Sequence, residues 1–208
     1  MNTKNKRSEN RGDHEKLVRM TSLTLLTAIV AVLQLLGSSF RIGVIPFSLV
    51  LVPIVIGACL FGIGAGAFLG GVFGVICLIG GITGTDSFTF LIWNVSPFWT
   101  SAICMVKGVA CGAVSGLCYQ MLKKRQTLAC IAAAVVCPVV NTGIFALFML
   151  TAFRGVLADF AAQSGTADAF AYLLVGMIGV NFLVELAING VLSAAITRVI
   201  RYAQKRRE

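Results

Sequence analysis

The chain has 208 residues, 58% of them hydrophobic and 12% charged, with a formal net charge of +9; its mean hydropathy is +0.92. That composition excludes a multidomain soluble chain and leaves room for about six apolar spans of ~20 residues with short connections. The positive charge does not point to nucleic acid, because the basic residues sit at the ends of apolar runs and not on a face interleaved with aromatics.

Residues 1–19 are polar and read as a mobile basic cytoplasmic tail, with Lys4, Lys6, Arg7, Arg11, Lys16 and Arg19 against Glu9, Asp13 and Glu15. The apolar run that follows is long and lacks a small-residue cleavage site, which argues against a removed signal peptide. A transmembrane domain is expected over 20–200, with a second basic tail at 201–208. Its first span runs from about Met20 to Ser39 and carries two small-xxx-small pairs, Thr24 with Ala28 and Thr27 with Ala31. Such pairs serve either packing inside a bundle or the docking of a partner helix.

The break at 37–43 leads to a second span, about Pro46 to Phe61, in which Pro53 predicts a kink. A third span follows after almost no loop, from Ile63 to about Gly81, so the two are expected to be antiparallel neighbours. Gly62, Gly66, Gly70 and Gly74 fall four apart. On a helix they trace one slanting smooth stripe where another backbone can approach closely. A phosphate loop is a poor reading of this glycine-rich run, since no Gly-Lys-Ser/Thr follows.

Residues 82–98 are less apolar, and Trp93 and Trp99 suit the membrane interface. The fourth span, about Phe98 to Met121, repeats the glycine spacing at Gly108, Gly112 and Gly116. Its cysteines recur without CxxC spacing or a histidine partner, so no metal site is expected. The fifth span covers about Leu128 to Phe153, with Pro138, Asn141 and Thr142 near its middle; 154–168 reads as a polar loop. The sixth, about Phe170 to Arg198, holds Asn181, Glu185, Asn189, Ser193 and Thr197 at four-residue steps.

Fourteen of the seventeen basic residues lie in the two tails, the end of the sixth span and the Lys123–Arg125 turn. Six spans place all of these on one side, which the positive-inside rule makes cytoplasmic. The expected fold is therefore an all-α bundle of six transmembrane helices in the cell membrane, with both termini inside.

Ionisable residues within spans are costly and by default mark a functional site. Here they are Lys107 and Glu185. One reading is a buried ion pair clamping the fourth span to the sixth. The other makes them, with Asn141, Thr142, Asn181 and Asn189, the walls of a small-molecule pocket whose mouth is formed by Trp93, Asn94 and Trp99. Catalysis has little support: there is no Walker motif, no HExxH and no Gly-x-Ser-x-Gly. No enzyme activity and no cofactor are expected, and any transport must draw on a gradient or a partner.

Three stretches, T-S-L-T-L-L-T-A-I-V-A-V-L-Q-L-L-G, I-P-F-S-L-V-L-V-P-I-V-I-G-A-C-L-F-G-I-G-A-G-A-F-L-G-G-V-F-G-V and V-K-G-V-A-C-G-A-V-S-G-L-C-Y, resemble the substrate-specific components of energy-coupling factor (ECF) transporters. The resemblance implies a bacterial vitamin importer whose first three spans face a transmembrane coupling protein carried by two ATPase subunits. It implies docking through the first helix, where Thr24, Thr27, Ala28 and Ala31 stand in place of an Ala-xxx-Ala pattern. It further implies that spans four to six and the loop after span one, which contains Arg41, enclose the vitamin. A pantothenate- or riboflavin-like solute is the expectation. Two other classes stand beside it: a proton-coupled secondary transporter using Glu185, disfavoured by the lack of an inverted repeat, and a non-transporting membrane assembly protein.

Overall fold

The computed structural model describes residues 3–37, 41–42, 45–46 and 49–205. In chain order come α1 (Thr3–Gly37), a two-residue antiparallel pair β1 (Arg41–Ile42) and β2 (Ile45–Pro46), α2 (Leu51–Phe61) and α3 (Ile63–Thr83). They are followed by α4 (Ser87–Val95), α5 (Pro97–Leu122), α6 (Gln126–Thr151), α7 (Arg154–Gln163) and α8 (Ala169–Ala171). A π-helical segment, Tyr172–Gly179, then leads into α9 (Val180–Lys205).

Among the described residues five helices are long and apolar enough to cross a membrane: Lys16–Gly37 of α1, then α3, α5, α6 and residues 169–192. The expected second span is shorter. At 11 residues, α2 is about 16 Å long, roughly half the hydrocarbon thickness. The position of Pro53 removes the reason to expect a kink. The helix starts at Leu51, so Pro53 lies in the first turn, where a missing N–H costs no intrahelical bond. The polar stretch before Lys16, expected as a mobile tail, has helical backbone from Thr3 onward, as its lysines, arginines and glutamates favour.

The glycine stripes find each other. A methyl group at Gly66 or Gly70 would run into the carbonyl oxygens of Gly112 or Gly108, and one at Gly74 would lie 2.5 Å from the Cys104 oxygen. The converse holds for Gly108 against Gly70 and Gly112 against Gly66, while a Gly116 methyl would sit 2.8 Å from Ile63 Cα. Each step of four up α3 meets a step of four down α5, so the two helices are antiparallel with their backbones in contact. Close approach here is what the missing side chains permit. Gly62, at φ +89°, separates α2 from α3 and allows their tight reversal.

Leu26 packs on Gly57 beside Leu69, and eight residues further on Gln34 meets Cys77, so α1 runs parallel to α3. The rings of Trp99 and Phe148 lie 6.1 Å apart, setting the start of α5 against the end of α6. Lys123, Lys124 and Arg125, all exposed, therefore share one end of the bundle with the start of the α1 span. The opposite end carries α4 and α7, joined by the rings of Phe88 and Phe160 at 6.3 Å. Two connections are thus helical: α4 within 82–98, and α7 within 154–168, which the sequence reads as a polar loop.

Candidate functional site: a polar cavity among α3, α4, α5, α6 and α9

Asp86 organises the wall formed by α4. It caps the helix, its Oδ1 accepting from the backbone N–H groups of Phe88 (3.1 Å) and Thr89 (3.4 Å). Its Oδ2 accepts from Thr89 Oγ1 at 2.6 Å. Gly84, left-handed at φ +77°, ends α3 and turns the chain into this cap. The result is a short helix held against the ends of α3 and α5, with Phe88, Thr89 and Ile92 directed into the bundle.

Behind that wall lies a cavity of about 780 Å³, counting its open mouth. Lys107 reaches it from α5, Asn141 and Thr142 from α6, Asn181 and Glu185 from α9, and Gln34 from α1. Phe73, Phe88, Phe145 and Phe182 supply aromatic surface, and Cys77 and Cys104 complete the α3 and α5 sides. The Lys107 ammonium lies 5.5 Å from the centre of the Phe73 ring, a cation–π distance. It is also within the electrostatic reach of Asp86 and Glu185. Asn141 is buried, and among the described residues its Oδ1 has no hydrogen-bond donor.

Pro138 lies within α6 one turn before Asn141; it cannot donate to the Ala134 carbonyl, which loosens the helix beside the cavity. On the other side, the π-helical segment shifts the helical register just before Asn181, and its Ile178 lines the cavity. Wide turns of this kind recur at functional sites.

Lys107, Asn141, Thr142, Asn181 and Glu185, singled out from the sequence, thus come together from three helices. The others do not join them. Asn189 is buried, but its Nδ2 donates to the Glu185 carbonyl at 2.8 Å, so it serves α9 and lies outside the lining. The stripe is inward-facing, yet Asn181 to Asn189 spans about 12 Å, and the cavity ends before its third member. Trp93 is half-buried and Asn94 exposed, its Nδ2 donating to the Phe90 carbonyl at 2.9 Å; neither lines the cavity. The side chain of Arg41 lies outside the described residues.

Sequence reasoning passed over Asp86, Gln34 and Thr89. Asp86 falls in the less apolar stretch 82–98, away from the span residues. The available signal was Asp86-Ser87-Phe88-Thr89 ahead of an apolar run, a helix-start pattern. Among the described residues no group of three His, Cys, Asp or Glu side chains is placed to hold a metal ion.

On α1 the two small-residue pairs face different ways. Thr24 and Ala28 are exposed, whereas Thr27 and Ala31 are half-buried toward the bundle. Both threonine hydroxyls donate to their own helix, Thr24 to the Met20 carbonyl and Thr27 to that of Leu23, leaving the outward surface smooth.

Compared with known proteins, residues 18–197 match the family model described as "ECF transporter, substrate-specific component". No curated protein and no solved structure matches the chain.

Proposed function

Because the chain belongs to the family of substrate-specific components of ECF transporters, we propose that it captures a vitamin or related micronutrient and passes it to an ATP-driven module of a coupling protein and two ATPase subunits. Membership makes it a multi-pass protein of the plasma membrane and a transport component, not a member of an enzyme family. The finer reading is ours: six crossings with both termini inside, a solute of pantothenate or riboflavin type, and binding by Lys107, Asn141, Asn181 and Glu185.

One observation carries it. Polar side chains from α5, α6 and α9 converge on a cavity in an otherwise apolar bundle, which is how a small-molecule site is built. The cavity's lining reaches α4, at the end away from Lys123–Arg125. With that basic end in the cytoplasm, the solute enters from outside. Glu185 and Lys107 contact it, and the exposed Thr24–Ala28 face of α1 meets the coupling protein.

The test is energetic. Uptake into cells should require ATP hydrolysis by the partner subunits and persist over short times when the proton gradient is collapsed. Immediate loss of uptake on adding an uncoupler, with ATP levels intact, would sink the reading in favour of a proton-driven carrier.

A further inference from the structure

Resting on the reading above that this cavity holds the solute, we infer that the wide turn Tyr172–Gly179 is a positioning element of the site. It houses one residue more than an α-helix would, Gly176 and Gly179 permit it, and Asn181 and Glu185 face the cavity because of it. The spacing of the inward residues is the first ground. Leu173, Met177, Ile178, Asn181 and Glu185 are buried; counted from Leu173, the last four lie 4, 5, 8 and 12 positions on. At about 100° per residue, an unbroken α-helix would set Glu185 about 120° round from Leu173. With one residue fewer between Leu173 and Met177, each position falls by one to 3, 4, 7 and 11. That is the spacing of a single α-helical face, with Glu185 about 20° from Leu173. The segment therefore carries one surplus residue, and a turn closed by i→i+5 bonds takes it up while the buried face continues.

The second ground is the pair of glycines. A methyl group at Gly179 would lie 2.9 Å from the carbonyl oxygen of Leu174, five residues earlier. That oxygen belongs to the backbone of the same wide turn and cannot give way while the turn stands. In an α-helix, by contrast, alanine is the most favoured residue. A methyl at Gly176 would lie 2.8 Å from the Tyr172 ring; the ring can swing aside, so Gly179 is the stricter requirement. Val175, 75% exposed, faces away from the cavity and contributes nothing to its lining. Ile178, Asn181 and Glu185, from the end of the turn onward, do line it. If the surplus residue stayed but the turn closed to α-helical bonding, all that follows would rotate by about 100°, taking Asn181 and Glu185 out of the cavity.

The test uses the full-length protein in detergent as wild type, as Gly179→Ala, with Val175 deleted, and with both changes together. The readouts are melting temperature, crystal structures, and calorimetry with riboflavin and with pantothenate as probes. Deleting Val175 should leave a folded protein that is α-helical through residues 172–179, with Asn181 and Glu185 still lining the cavity. Its probe affinity should stay within about threefold of wild type. Gly179→Ala alone should bind the probe at least about tenfold more weakly, as the loss of hydrogen bonds to a charged group implies. In the deletion background the same substitution should have no effect, a rescue that a role in stability alone would not produce. If Gly179→Ala alone does not fold, recovery of folding in the double variant is the same rescue, read by melting temperature. A deletion variant that does not fold, or whose Glu185 leaves the cavity, overturns the inference. An equal effect of Gly179→Ala in both backgrounds overturns it too. Wild type that binds neither probe counts against the solute assignment above, while the crystal structures and melting temperatures still decide the inference, so the two failures are distinguishable.

Discussion

A buried amide oxygen without a donor costs about 1–3 kcal/mol, and Asn141 places one on the cavity wall. Such a residue is retained at the expense of the empty protein's stability. Asn141→Leu, apolar and of similar volume, is therefore expected to melt at a higher temperature than wild type when solute-free, and to bind solute more weakly. A thermal scan with and without solute checks both. Lys107 and Glu185 separate two roles in the same way. As a mere clamp, removing one charge strands the other at a cost of roughly 3–5 kcal/mol, and the Lys107→Met, Glu185→Leu double variant recovers much of it. As solute contacts, Glu185→Gln stays folded with weakened binding, and the double variant folds but binds nothing. We expect the second pattern, read by melting temperature and affinity together. A double variant with wild-type affinity would remove both residues from the site.

Elements are positioned by what their surfaces lack. The backbones of α3 and α5 touch where Gly66, Gly70, Gly108 and Gly112 meet. Gly70→Ala or Gly108→Ala should force the helices apart and cost roughly 1–3 kcal/mol, as overpacking does. Gly64 and Gly143 have no neighbour within 4 Å of an added methyl, so alanine there should leave the melting temperature nearly unchanged. If all four variants behave alike, backbone contact is not what holds this pair. The same reasoning distinguishes the two pairs on α1. Ala28→Leu, on the exposed face, should weaken co-purification with the coupling module while sparing solute binding. Ala31→Leu, half-buried, should disturb the bundle itself. Normal assembly of both variants would move the docking face elsewhere.

At the scale of the whole molecule, the chain carries a polar cavity and helices long and apolar enough to cross a membrane, but no nucleotide-binding motif. Reconstituted alone in liposomes, it is expected to bind solute and to show no sustained accumulation against a gradient. Concentrative uptake by the isolated protein would place the energy source within it. What the sequence by itself determined is whatever depends on local composition and periodicity. Apolar run length marked six spans, of which five are helices long and apolar enough to cross a membrane among the described residues; the four-residue glycine spacing marked the packing faces, and the cost of charge in lipid singled out Lys107 and Glu185. Only the tertiary structure decided which surfaces meet and which side chains share a space. Glycine spacing is the same whatever the partner, so the pairing of α3 with α5 was not legible. Asp86 looks like a loop residue until the turn at Gly84 folds α4 against the bundle. Asn189 repeats the spacing of Asn181 and Glu185, yet it lies beyond the end of the cavity. Periodicity specifies the face of a helix on which a residue lies, but depth and neighbours come from the crossing of helices distant in sequence, and no local pattern encodes that.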